Sequence, residues 1–334
     1  MGGTMNAARL ARLGLVLSLA AVACRSERAT AKGAPSIAVI PKGTTHEFWK
    51  SVHAGAVKAS QELGVEIIWK GPLKEDDLKA QIDVVQSFVA QGVSGIVLAP
   101  LNDKGLVGAV QQARASNIPV VIFDSDLQGH EHASFVATDN RAAGRMAGEE
   151  MAKQLGGKGN IVVLRYNEGS ASTAHRESGF LEAVGKSPGI KVVSDNQYGG
   201  ATTESAFATS ENLLAATKAG SGGIDGIFCP NESTTFGMLL ALEKAGLAGK
   251  MKFVGFDSSS KLIEGVRQGH IDGLVLQDPF KMGYLAVKTM TQHLKGEKVD
   301  PRIDTGATFV TRQNIDQPEI RELLAPDLKK WLKE

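Results

Sequence analysis

Met251–Ser260 reads MKFVGFDSSS. Its centre, Lys252-Phe253-Val254-Gly255-Phe256, is short and apolar and reads as a strand buried on both faces. Asp257 and three serines end it abruptly, which puts a carboxylate at the carboxyl end of a buried strand. In an open α/β sheet ligands bind at that edge, because strand ends and the N-termini of the following helices line a crevice there. Pro119-Val120-Val121-Ile122-Phe123 ends in the same way, in Asp124-Ser125. The question is whether the two carboxylates face one ligand.

Working outward, short β-branched runs alternate with amphipathic segments, the pattern of βαβ units and a parallel sheet. Ile37–Ile40, Val65–Trp69, Gly95–Ala99, Pro119–Phe123 and Ser134–Ala137 are expected strands. Phe48, Val52, Ala56, Ala59 and Leu63 fall on one helical face that Gly64 stops; Leu78, Ile82, Val85 and Val89 form a second, ending at Gly92. Leu106, Val110 and Ala113 mark a third. The pattern then restarts with a helix over Ala142–Leu155, a turn at 156–159 and a strand over Asn160–Leu164. Phe180, Val184 and their neighbours close the next helix; further strands are expected at Lys191–Val193, Gly226–Cys229, Lys252–Phe256 and Gly273–Leu276, with helices over Phe236–Ala245 and Leu262–Gln268. Two similar lobes follow, each a parallel sheet flanked by helices, with a hinge near Thr138–Arg141 and a ligand cleft between them. The helix-forming stretch Gly283–Leu294 is expected to pack back on the first lobe, so more than one crossing joins the two. The N-terminal lobe is therefore 35–138 plus 278–305, and the C-terminal lobe 139–277 plus 306–330.

The chain's 334 residues suffice for two such lobes. Lys and Arg number 37 against 36 Asp and Glu, a formal net charge of +1, so there is no basic footprint for nucleic acid. Residues 1–24 read as a secretory signal: Arg9 and Arg12, an apolar run Leu13–Ala21, then small residues before Cys24. Small residues followed by cysteine resemble the bacterial lipoprotein signal, which implies acylation of Cys24 and a flexible tether over 25–34; plain cleavage is the alternative. With Cys24 acylated, Cys229 is the one remaining thiol and has no disulfide partner. It closes an apolar run and reads as a core residue.

Several motifs suggest other chemistry and fall short of it. Gly179–Ser187, GFLEAVGKS, has one residue too many between its glycines for a phosphate loop, and Gly157-Lys158-Gly159 precedes its strand where a dinucleotide fingerprint follows one. His130-Glu131-His132 offers two imidazoles but no further metal ligands, and the serines near Asp257 lack the Gly-x-Ser-x-Gly elbow. No metal, no cofactor and no enzyme activity are expected. What remains is a set of polar groups at strand ends: Asp124, Asn231, Asp257 and Gln277, with Arg176 and His46-Glu47-Phe48-Trp49 at helix starts. Each alone has a plainer role, Asp257 as a helix cap, Arg176 in a surface ion pair, Trp49 as core. Together, carboxylates, amides and a guanidinium beside aromatic faces suit a neutral polyhydroxylated ligand.

The runs HEFW (46–49), PVVIFDS (119–125), VATDN (136–140), RESGF (176–180), FCPNES (228–233), FVGFDSS (253–259) and LVLQDP (274–279) resemble the periplasmic sugar-binding proteins of ABC transporters related to the ribose-binding protein, with the sensor domains of Lac-type repressors as cousins. The resemblance spans about 36–315. It implies hinge closure on a small sugar or polyol, and delivery to a membrane permease by a monomeric, lipid-anchored extracytoplasmic protein; a sensor feeding a membrane receptor or kinase is the alternative use of such a module. It assigns hydrogen bonding to Asp124, Arg176, Asn231, Asp257 and Gln277, and stacking to Phe48 and Trp49. The family often has Asn where His46 stands and Arg where Ser125 stands, and an aromatic is expected near Tyr198-Gly199-Gly200. Ile40-Pro41-Lys42 resembles relatives that bind rhamnose or furanosyl signalling molecules, which adds Lys42 to the expected ligand contacts. His46 and Ser125 complete that set.

Overall fold

In chain order the first half runs β1 (Ser36–Ile40), α1 (Glu47–Leu63), β2 (Glu66–Trp69), α2 (Leu78–Gln91), β3 (Gly95–Leu98), α3 (Val107–Ala115), β4 (Val120–Phe123) and β5 (Ser134–Ala137). The second runs α4 (Asn140–Gln154), β6 (Lys158–Arg165), α5 (Ala171–Val184), β7 (Gly189–Tyr198), α6 (Thr203–Ala216), β8 (Gly226–Phe228), α7 (Glu232–Lys244), β9 (Lys252–Phe256), α8 (Ser260–Gln268) and β10 (Gly273–Gln277). α9 (Pro279–Leu294), β11 (Arg302–Asp304), β12 (Ala307–Val310) and α10 (Pro318–Leu324) complete it. This computed structural model describes residues 1, 2, 33–129 and 131–332. Cys24, within residues 3–32, and His130 lie outside the described residues. The chain divides into two units, Met1–Ala34 and Pro35–Glu334, and the elements from β1 to α10 all belong to the second.

The strands form two six-stranded sheets, ordered β11-β5-β4-β3-β1-β2 and β12-β10-β9-β8-β6-β7. All pairings are parallel except that of β12 with β10. β4 and β9, the strands that end in Asp124 and Asp257, hold the same third place in their sheets. The chain passes between the sheets three times, from β5 to α4, from β10 to α9 and from β11 to β12.

The central strands of each sheet are buried on both faces, which explains why they read as continuous apolar runs, while the edge strand β7 is largely exposed. Along the first sheet Val39, Val97, Val121 and Phe123 pack on Trp49, Val52, Met282 and Ala286 of α1 and α9. The alternate residues Ala38, Ile40, Ile96, Leu98 and Ile122 pack on Val85, Phe88 and Val110 of α2 and α3. In the second sheet Val254 and Phe256 meet α4 and α5, while Phe253 and Cys229 meet the α7 side. Gly64 and Gly92 end α1 and α2 in the left-handed conformation (φ 66° and 68°). α6, β11, β12 and α10 come as additions to the elements read from the sequence. α6 buries Ala206, Ser210, Leu213 and Leu214, a stripe too small and polar to stand out, and β11 is a three-residue edge strand beginning at Arg302.

Candidate functional site

Asp124 and Asp257 are both in the left-handed region, at φ 61° and 66°. Each backbone N–H still bonds the neighbouring strand, Asp124 to Val136 O at 3.0 Å and Asp257 to Val275 O at 2.9 Å, and the chain then turns out of the sheet. Aspartate tolerates this conformation better than most residues, and such strain concentrates at functional sites. The helix after Asp257 is capped by Ser259, whose Oγ accepts from Leu262 N at 3.4 Å. Asp257 is therefore not the cap of α8, and its carboxylate faces the space between the sheets.

Around Asp257 a group of bonds fixes the second lobe's side of that space. Gln277 Nε2 donates to Asp257 Oδ1 at 2.7 Å, and Glu232 N donates to Oδ2 at 3.2 Å. Arg176 lies 3.8 Å from the same carboxylate and stacks over the Phe256 ring at 4.1 Å. Its Nε donates to Asn140 Oδ1 at 2.8 Å and its Nη1 to Pro230 O at 3.0 Å. α4 and α5 are packed so closely that a Cβ on Gly144 would stand 2.1 Å from Arg176 O, and one on Gly179 2.1 Å from Arg141 O. This contact sets the height of Arg176 above the sheet. Two buried atoms of the group, Arg176 Nη2 and Gln277 Oε1, have no protein partner. Asn231 lines the same cavity, but its Oδ1 caps α7 by accepting from Thr234 N.

The opposite side is built mainly by the first lobe. Lys42 Nζ stands 3.1 Å from Asp124 Oδ2 and donates across the cleft to Ser172 Oγ at 3.0 Å and Ser170 Oγ at 3.3 Å. Glu75 is the hub of a second group. Its Oε1 bonds His46 Nδ1 and the Trp49 indole N–H, both at 2.6 Å, and its Oε2 accepts from the Tyr166 hydroxyl at 2.6 Å. Trp49 meets Phe48 and Phe123 edge to face, at 4.9 and 6.1 Å between ring centroids. Of the ten residues expected at the site, nine line one small cavity of about 30 Å³. Ser125 does not: it is fully buried, and its Oγ accepts from Ser172 N at 3.0 Å, tying α5 to the first lobe.

Glu75, Tyr166, Ser172, Thr173 and Glu232 line the cavity as well and escaped the sequence reading. Glu75 lies in the connection before α2, and Tyr166 one residue past β6, where no periodicity marks a residue as facing a ligand. Tyr198, near the expected second-lobe aromatic, is half-exposed beside Arg165 and does not line the cavity, whereas Tyr166 does. A larger cavity, about 410 Å³, adjoins under residues 323–329 and shares Phe48, Asp257 and Gln277, but it lacks the convergent charges of the smaller one. Glu131 of the His-Glu-His run forms an ion pair with Arg114.

Burial governs the electrostatics. It pushes Glu232 up to about 7, against the pull of His46 and of the Glu47 and Phe48 N–H groups that its carboxylate accepts. Asp257 is raised for the same reason, with Arg176 opposing. Burial works to lower His46, yet Glu75 holds it above its ordinary value; Glu75 is held low by His46 and Lys42 despite its burial. Lys42, His46 and Arg176 thus stand against Glu75, Asp124 and Asp257, with Glu232, pushed up to about 7, as a fourth and partly protonated carboxyl, and the cavity is close to charge-balanced. Such a lining matches a neutral ligand rich in hydroxyls, because a net charge on the ligand would find no uncompensated counter-charge.

A family model described as periplasmic binding protein domain matches residues 37–298. A solved structure from Hahella chejuensis, the periplasmic component of an ABC-type sugar transport system, is 36% identical, with a TM-score of 0.80 over 83% of this chain and 100% of that one. A carbohydrate transporter solute binding protein from Agrobacterium radiobacter, solved with D-arabinose, is 34% identical, with a TM-score of 0.83 over 88% of this chain and 100% of its own. The ribose import binding protein of Escherichia coli is 28% identical over 313 residues, 92% of this chain and 100% of that protein.

Proposed function

The chain belongs to the periplasmic binding protein domain family, and on that premise we propose that it captures a small neutral sugar or polyol by closing its lobes and delivers it to an ABC permease. One observation carries this reading. A buried donor without a partner, Arg176 Nη2, and a buried acceptor without one, Gln277 Oε1, belong to residues lining the same charge-balanced cavity. A hydroxyl both donates and accepts, so a ligand bearing several satisfies both atoms without adding charge. Ring C–H faces of a sugar find Phe48 and Trp49 as apolar partners. Acylation at Cys24 would hold the receptor on the membrane beside the permease; its support is the leader sequence, and release of a Cys24→Ala protein from the membrane fraction checks it.

A ligand that binds the folded protein alone raises its melting temperature. A thermal-shift screen of neutral pentoses, hexoses and polyols at millimolar concentration is expected to give an upward shift with at least one of them. Amino acids and organic acids of similar size are expected to leave the melting temperature unchanged. A shift confined to charged ligands would contradict the reading.

A further inference from the structure

α5, the helix that carries Arg176, starts without a cap from its own segment. Ser170 stands at its N-cap position with an extended backbone but makes no side-chain cap bond; its Oγ accepts instead from Lys42 Nζ at 3.3 Å. The first lobe supplies the missing acceptor. Ser125 Oγ accepts from the backbone N of Ser172, the second residue of α5, at 3.0 Å, the bond that an N-cap hydroxyl ordinarily makes. Lys42 Nζ also donates to Ser172 Oγ at 3.0 Å and stands 3.1 Å from Asp124 Oδ2, so its three N–H groups meet three oxygens, two of them at the start of α5. Ser125 is placed by the left-handed Asp124 before it (φ 61°), and its own N–H bonds Phe123 O at 2.7 Å. It is fully buried and, unlike Lys42 and Asp124, does not line the cavity.

We propose that Ser125 is a positioning residue for ligand binding: it caps α5 from the opposite lobe and so strengthens binding without touching the ligand. The inference rests on the sugar reading above and adds to it a residue outside the cavity. The first N–H groups of a helix have no partner within it, and a buried one left unpaired is costly, so α5 is complete only while Ser125 lies against it. A hinge opening that parts the lobes would break the Ser125 and Lys42 bonds together. In an α-helix the N–H of Arg176 bonds the C=O of Ser172, four residues back, so the residue that Ser125 holds is one hydrogen bond from Arg176. Thr173, its neighbour in the chain, lines the cavity. A ligand that holds the lobes together therefore gains the cap as well, and the gain appears as slower release.

The test compares the wild-type protein with Ser125→Ala, which removes the acceptor, and Ser125→Cys, which fills the same space with a weak one. Each is titrated calorimetrically and by stopped flow with D-ribose, D-allose, D-arabinose, D-fucose and xylitol, and the tightest wild-type ligand is carried forward. Both variants, shown to be folded by a cooperative thermal melt, are expected to bind that ligand about fivefold to tenfold more weakly, with faster dissociation and association changed by less than about twofold. Hydrogen exchange with the ligand bound separates a cap from a general packing role: the Ser172 amide is expected to exchange about fivefold or more faster in both variants than in the wild type. Unchanged affinity in both variants overturns the inference alone, as does weakened binding with unchanged exchange at Ser172. Binding of none of the five compounds by the wild type overturns the sugar reading and this inference with it.

Discussion

Arg176 gains its place from four neighbours at once: Asn140, Pro230 O, the Asp257 carboxylate and the face of Phe256. A planar guanidinium meets these demands and keeps Nη2 for a ligand; an ammonium group cannot. Arg176→Lys is therefore expected to keep the charge yet lose about 100-fold in affinity for the best sugar, measured by calorimetry. Glu177, buried in the same helix, behaves differently. Burial raises it to about 7 against the pull of the Tyr166 N–H and Arg165. Its neutral form is the one folding favours, so the stability it contributes is present below the ordinary carboxylate value of 4.5 and is lost as pH rises through about 7. Glu177→Gln is expected to reduce the loss of stability between about pH 5 and pH 8, read from urea melts at each pH. Arg176 was legible in the sequence because it opens the run that carries the resemblance, although it lies in the second turn of α5 (Ala171–Val184) and not at a helix start as expected, since the helix begins at Ala171. The Glu75–Tyr166 contact was not, since it joins two irregular segments 91 residues apart.

At the scale of elements, helix pairs position the site as much as strands do. α4 and α5 approach through Gly144 and Gly179, and the residue beneath the close contact is Arg176 itself. Gly179→Ala must push the helices apart, and is expected to cost about 1–3 kcal/mol in a denaturant melt and to weaken ligand binding through the displaced guanidinium. Gly108 in α3, where an added Cβ meets nothing within 4 Å, is the control: Gly108→Ala is expected to stabilise by about 0.5–1 kcal/mol with affinity unchanged. Apolar runs and glycine stops placed the central strands and α1 and α2 well, because burial on both faces leaves a strong composition signal. α6, β11 and β12 carry weak signals: a short buried stripe of Ala206, Ser210, Leu213 and Leu214, or three or four residues at a sheet edge, is specified by its neighbours and not by its own pattern.

At the scale of the whole molecule, the lobes meet through reciprocal helix ends. α1 has no side-chain cap of its own at His46, and Glu232 from the second lobe accepts its Glu47 and Phe48 N–H groups at 3.3 and 3.2 Å. Glu47 in turn accepts from Ser260 N, at the start of α8, at 3.3 Å. Carboxylates at helix N-termini are stabilising, so closure completes two helices. The groups that face Glu232 are His46 and Glu47 at the start of α1 and Asp257 after β9. In an opened cleft Glu232 would meet water and return from about 7 towards its ordinary value of 4.5. Closing would then take up a proton: the contribution of Glu232 is fully present below 4.5 and is lost as pH rises through about 7. Asp257, also raised, acts in the same sense, and so does His46 at higher pH. Ligand affinity is expected to weaken as pH rises from about 5 to 8, and Glu232→Gln to flatten the lower part of that profile in calorimetric titrations.

The central claim is that carboxylates from both lobes grip one neutral polyhydroxylated ligand. Asp257→Asn tests it most directly, because asparagine also accepts the left-handed backbone there and keeps the side-chain volume, while replacing an acceptor-only carboxylate with an amide. The measurement is calorimetric titration of wild type and variant with the sugar that raises the melting temperature most. One-to-one binding by the wild type, and a loss of about 100-fold or more in a variant that still unfolds cooperatively, is the result expected. Equal affinity in the two proteins would contradict the account.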